Sequence, residues 1–119
     1  SGCAAGQVST STRHDGTAVM PIDGEATRIA LRLVGDTPGA TRGRLEMSVD
    51  GRVFRPVCST GFGSSEAQIF CRALGYDGRA ATSWSTQKKA WRFAAAGFSC
   101  GGAESIDNCS ANTATDADS

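Results

Sequence analysis

The stretch VCSTGFGSSEAQIFCRALG, Val57–Gly75, holds the most regular helical pattern in the chain. Ala67, Phe70, Cys71 and Leu74 fall at helical spacing and form one apolar stripe. Ser65 and Gln68 read as an S-x-x-Q capping box, and Gly75 stands where a helix stops. The pattern predicts a helix over Ser64–Gly75 with Cys71 facing the core. Cys58 precedes it with twelve residues between the two cysteines.

Upstream the period changes from helical to alternating. Thr27–Val34 (TRIALRLV) places Ile29, Leu31 and Leu33 on one face, a half-buried strand. A thinner strand signal covers Thr17–Ile22, and Gly35–Arg42 reads as loop. Gly43–Val49 puts Leu45, Met47 and Val49 on one face. Asp50-Gly51 then predicts a type I′ hairpin turn, since both central residues of that turn need positive φ. Arg52–Cys58 returns with Val53, Arg55 and Val57 on one face, and Pro56 makes it an edge or bulged strand. Downstream, residues 76–93 read as polar and irregular. Trp91–Phe98 is apolar, Ala103–Cys109 reads as a short helical turn, and Ser110–Ser119 reads as a frayed tail.

Composition narrows the class. The chain has 119 residues, 39% of them hydrophobic, with 15 glycines and 5 cysteines. One modest core, many turns and covalent staples fit those values. Twelve basic residues balance twelve acidic ones, so nothing steers the whole chain toward nucleic acid or an anionic membrane. No apolar run approaches the roughly 18–20 residues that span a bilayer. No cysteine pair forms the CxxC of a zinc or iron–sulfur site, and no cofactor is expected.

Catalytic sets are missing too. The one histidine, His14, has no Ser or Cys beside it in a nucleophile motif. Gly61-Phe62-Gly63-Ser64-Ser65 lacks the lysine of a phosphate-binding loop. Asp15 and Asp23 carry no pocket signature. The expected class is therefore a binding module and not an enzyme. Trp84, Lys88, Lys89, Trp91 and Arg92 are the candidate partner contacts, because aromatics and arginine anchor interfaces. Asn108-Cys109-Ser110 is a formal glycosylation sequon.

Three segments together resemble the scavenger receptor cysteine-rich domain. They are RLVG at Arg32–Gly35 leading to GRLEMSVDGRVFRPVC (Gly43–Cys58), then CSTGFGSSEAQIFCRALGY (Cys58–Tyr76), then CGGAESIDNC (Cys100–Cys109). Val57, Cys58, Gly61, Ala67, Cys71, Arg72, Leu74 and Gly75 match the family motif, with Phe62 for its Trp and Ile69 for its Val. The resemblance implies an α+β fold: a small, loop-rich, disulfide-bonded domain whose curved antiparallel sheet cradles one main helix. It implies an extracellular or cell-surface setting and a disulfide between Cys100 and Cys109. It implies partners that are other protein chains or neighbouring modules, with no nucleic acid and no membrane insertion.

The chain departs from the family at two places. The family's acidic cation-binding cluster is replaced by Ser59, Thr60, Gly61, Phe62 and Gly63, which leaves Glu104 as the remaining metal candidate. The family's two final cysteines, the usual partners of Cys58 and Cys71, are absent before Ser119. His14–Ile22 (HDGTAVMPI) resembles the family's closing strand, with Ile22 where the cysteine would stand. Residues 1–27 therefore read as an N-terminal segment, either a completing strand or the tail of a preceding module, and 28–119 as the domain. Cys3 would bond Cys58 or Cys71. The expected function is a building block of a cell-surface or extracellular assembly. The alternative is recognition of soluble proteins or of microbial and polyanionic ligands.

Overall fold

Alternation dominates the secondary structure. The computed structural model describes residues 4–35, 41–76, 83–86, 92–101 and 105–113. Its elements are β1 (Ala5–Ser9), β2 (Asp15–Ile22), β3 (Glu25–Val34), β4 (Arg42–Ser48), β5 (Arg55–Pro56), α1 (Ser64–Ala73), β6 (Ser83–Thr86), β7 (Ala95–Ser99) and β8 (Ser110–Thr113). The strands run in the order β6-β1-β4-β3-β2-β8-β7, with β5 on the second half of β4. The result is a small α+β fold with one curved sheet around one helix.

The sheet curls back on itself. Val57 bridges Ala95, Cys58 N–H donates to Ala95 O at 2.9 Å, and Ala94 N–H donates to Pro56 O at 2.7 Å. The chain after β5 thus links β4 to β7, strands at different places in the sheet order. The inner side carries Val8, Met20, Ile29, Leu31, Leu45 and Met47, all fully buried. Against them lie Ala67, Phe70, Cys71 and Leu74 of α1, the stripe read from the sequence. Phe62, Phe70 and Phe98 meet edge to face, with ring centroids 5.4–5.6 Å apart. Each such pair adds about 0.5–1.5 kcal/mol beyond simple burial. The triad ties the helix entry, the helix and β7 together.

Several local readings are corrected. The tight hairpin turn lies at Asp23-Gly24, where φ is 53° and 83° and Ile22 pairs directly with Glu25. At Asp50-Gly51 only glycine has positive φ. There the Asp50 carboxylate accepts from Arg52 N–H, Val53 N–H and Ser48 Oγ. That side-chain capture shapes a wider loop over residues 49–54, as Asp does in Asx turns. Val49 and Val53 consequently point outward. The helix is capped at Gly63, whose N–H donates to Glu66 Oε1 at 2.9 Å. Ser65 and Gln68 are therefore not the cap.

Two stretches assigned to loop and tail contain strands. Ser83–Thr86 forms β6 along β1. Ser110–Thr113 forms β8, held by Ala111 O accepting from Asp23 N–H and by the Asp23 carboxylate accepting from Thr113 N–H and Oγ1. Both contacts span about ninety residues, a link no local pattern encodes. Ile106–Asn108 is a single 3-10 turn.

Residues before the predicted boundary at 27 are woven into the sheet. That boundary falls inside β3. β1 lies between β4 and β6, and β2 pairs with β3 along its whole length. Beyond β1 the chain packs on the end of α1: Thr12 Oγ1 donates to Leu74 O.

Gly43 supplies a packing test. A Cβ there would overlap the Val34 carbonyl, which is backbone and cannot swing aside. Gly43→Ala should force β3 and β4 apart and destabilise the domain by about 1–3 kcal/mol, read as a lowered urea midpoint. An unchanged midpoint would mean the two strands approach less closely than described.

Candidate partner-binding surface

The outer face of the sheet follows from register. Trp84 on β6 stands opposite Gln7, Gln7 opposite Arg44, and Arg44 opposite Val34. One pleat along, Glu46 stands opposite Arg32, and Arg32 opposite Asp15. Arg28 faces Val19 further on. Val8, Ile29, Leu31, Leu45 and Met47 point the other way, so this row faces out.

Glu46 organises the middle of that face. It is 4% exposed and binds two arginines. Arg32 Nε donates to Oε1 at 2.7 Å, and Arg44 Nε and Nη2 donate to Oε2 at 2.9 and 2.7 Å. A buried carboxylate is costly unless its oxygens are filled, and here each oxygen has its own guanidinium. The Arg32 guanidinium also lies 4.5 Å from the Phe54 ring centroid, a cation–π contact. Phe54 therefore folds the 49–54 loop back over β3. Two cations on one anion leave the cluster with a net charge of +1.

Of the contact residues read from the sequence, Trp84 is 37% exposed and Arg92 is exposed. Lys88, Lys89 and Trp91 lie outside the described residues. Trp84 and Arg92 flank a small second cluster in which Ala5, Cys58 and Phe93 are buried together. Ala5 is two residues along β1 from Gln7, the register partner of Trp84, and Phe93 follows Arg92 directly. β1 and the segment before β7 thus carry the two residues to one region.

The cysteines sort into three environments. Cys100 and Cys109 form a disulfide with S–S 2.05 Å. Cys58 is also disulfide-bonded, and Ala5 bridges it while Ser59 N–H donates to Ala4 O at 2.8 Å. Cys71 is a free thiol, fully buried, donating to Ser9 O at 3.0 Å. Burial pushes its pKa up. Cys3 and Glu104 lie outside the described residues. Asn108 is exposed at the end of the 3-10 turn, beside the half-cystine Cys109. No group of three or more His, Cys, Asp or Glu residues converges among the described residues. Phe62, at the family's Trp position, is buried in the aromatic triad.

Sequence reasoning missed Glu46, Arg32, Arg44 and Phe54. The i, i+2 pair Arg44 and Glu46 on a strand was the available signal, because such residues share a face. The third partner is fourteen residues away, and only register supplies it.

Two measurements follow. Cys71 of the native chain should not react with a thiol reagent at neutral pH, and denaturant without reductant should expose it, read by mass mapping of the labelled peptide. A folded-state pKa above the free value of 9.0 means the thiol's contribution to stability holds below that pH and is lost as pH rises past it. Rapid labelling of the native chain would contradict the burial. The Asp50 carboxyl, held down to about 2 first by the Arg52 and Val53 amides, should titrate there by NMR. Its share of loop order persists above pH 3.8 and fades as pH falls toward about 2. A midpoint near 4 would show the turn unformed.

The profile of the scavenger receptor cysteine-rich domain matches residues 35–119. Comparisons with curated proteins and with solved structures gave no match. The matched span contains β4, the turn into α1 with its buried Phe62, the helix stripe around Cys71 and the bonded pair Cys100–Cys109. With more than half its length covered and the curved sheet and single helix in place, the chain belongs to the scavenger receptor cysteine-rich domain family.

Proposed function

We propose that this chain is a non-catalytic building block of a cell-surface or extracellular assembly, joined to other chains or to neighbouring modules by the outer face of its sheet. Domains of this family are extracellular protein-interaction modules at the coarse level. The observation that carries the finer reading is exposed Trp84 on β6, whose other side pairs with no described strand. Such an edge recruits strands, and tryptophan is among the commonest interface anchors.

In this reading residues 4–34 complete the domain and are not the tail of another. Three of its strands, β1, β2 and β3, come from that segment. Cys3 is taken as the partner of Cys58. Cys100 and Cys109 bond each other, Cys71 is free, and Cys58 is bonded, so one cysteine of the five remains. A loop of that length contributes about 4 kcal/mol in the chain-entropy model. Assembly is then non-covalent, because the spare thiol is sealed in the core.

Light scattering coupled to size exclusion tests this. The oxidised chain should exceed its 12.2 kDa monomer mass as concentration rises. It should run as a monomer on a non-reducing denaturing gel, and Trp84→Ala should return it to monomer in solution. A strict monomer at every concentration would sink the assembly reading and leave recognition of soluble ligands in its place.

A further inference from the structure

Asn108-Cys109-Ser110 is a motif that the proposed interaction surface does not use. It has an asparagine, a hydroxyl two residues on and no proline between, the pattern of an N-glycan acceptor. The chain has two asparagines, and the second, Asn112, lacks the hydroxyl because Ala114 follows Thr113. Any N-linked glycan on this chain therefore belongs to Asn108.

The fold presents both positions that the chemistry needs. Asn108 ends the 3-10 turn Ile106–Asn108, and Ser110 opens β8. Both are exposed, whereas Cys109 between them is 1% exposed. Cys109 has an extended backbone, with φ −81° and ψ 168°. Its sulfur turns inward to Cys100 while its two neighbours face solvent. The bond from Asn108 N–H to Ser105 O, at 3.0 Å, uses the backbone and leaves the exposed side-chain amide to water. Ile106, packed against the core, and the disulfide hold the turn from both sides. A glycan at Asn108 would displace no core group.

Its position also leaves the partner surface clear. β7 and β8 run antiparallel from Ala95 opposite Thr113 to Ser99 opposite Ser110. Val57, Cys58 and Ala5 close on this ladder at its Ala95 end, the side of Trp84 and Arg92. Asn108 stands beyond the other end, about 13 Å of strand away.

We infer that Asn108 is an N-glycosylation site whose occupancy is set by competition with the Cys100–Cys109 disulfide. The donor is an oligosaccharide carried on a lipid diphosphate. The Asn108 amide nitrogen bonds to C1 of the first sugar, and the bond from that carbon to the diphosphate oxygen breaks. The lipid diphosphate leaves, and the amide gives up one proton. A transferase has to reach residues 108–110 as open chain. Disulfide closure buries Cys109 and sets Asn108 in its turn, with Cys109 N–H donating to Ile106 O at 3.1 Å. Transfer is thus confined to the time before that loop closes, and a fraction of chains escapes it. The inference rests on the extracellular setting of the family and not on the partner proposed for Trp84.

Secretion of the full chain from cultured eukaryotic cells tests this, with peptide N-glycosidase digestion and mass mapping of the Asn108 peptide. A fraction of the parent chain should lose mass on digestion, with Asn108 read as aspartate. Asn108→Gln should abolish the shift, and Ser110→Thr, which leaves both cysteines in place, should keep it. Cys100→Ser removes the disulfide and keeps the motif, so it should raise the glycosylated fraction. That fraction is counted over secreted and retained chain together, so that poor folding of the variant does not hide the result. A parent chain with no digestible glycan would overturn the site. Full occupancy of the parent, or a fraction that Cys100→Ser leaves unchanged, would overturn the competition. Light scattering on the enzymatically deglycosylated chain keeps the assembly reading on a separate footing.

Discussion

One helix with one apolar stripe has to be covered on its buried side by strands alone. Phe70, Cys71 and Leu74 are fully buried, yet among the described residues no second helix of comparable length packs on α1. A flat sheet would leave part of that stripe wet. The sheet therefore curves, and the Phe62–Phe70–Phe98 contacts hold the curve by joining the helix to β7. The β8 strand closes the same wall through Asp23. Curvature is also what sends Pro56–Cys58 alongside Ala94 and Ala95. With a radius of gyration of 12.6 Å, the molecule is as tight as a domain of its length should be, about 13 Å.

The buried carboxylate of Glu46 is the corresponding constraint on the outer side. A charge placed there would be costly if either arginine were displaced. Arg32 and Arg44 are therefore not free to wander, although their side chains are 47% and 27% exposed. The position of Arg32 in turn holds the Phe54 ring, 4.5 Å from its guanidinium. An ionic cluster of modest net stabilising value thereby sets the relief of a surface. Its worth lies in geometry more than in energy, in keeping with the modest return from half-exposed ion pairs.

What could be read in advance, and what could not, separates by range. The helix stripe, the Ile29-Leu31-Leu33 face and the stop at Gly75 are local patterns, and each appears in the fold. The hairpin expected across Asp50-Gly51 forms between β4 and β5, but around a wider loop, and the two-residue turn lies at Asp23-Gly24. Both dipeptides carry the same chemistry, and what distinguishes them is whether a nearby hydroxyl and two amides capture the carboxylate, as Ser48, Arg52 and Val53 do for Asp50. β8 escaped because SANT holds one apolar residue, Ala111, and its strand character comes from β2 and β7. β6 escaped likewise, with β1 as its partner. Of the candidate contacts, Trp84 and Arg92 could be placed on the surface. The arginine–glutamate cluster needed a register that sequence spacing does not state.

The odd cysteine then acquires a different meaning. Five cysteines, an odd number, invite the idea of a link to another chain. The described environment of Cys71 argues otherwise. Its thiol faces the carbonyl of Ser9 beneath β1, in the core, where desolvation disfavours the thiolate needed for exchange. Meanwhile the segment carrying Ser9 continues to Thr12, which reaches the last carbonyls of α1. The strand β1 lies across Cys71, whose thiol donates to the Ser9 carbonyl. Cys58, which is disulfide-bonded, lies beside Ala4 and Ala5. The N-terminal segment thus does two jobs, sealing the free thiol and bracing the strand that follows β5. In the proposed assembly, contacts with other chains then come from side chains and not from the Cys71 thiol.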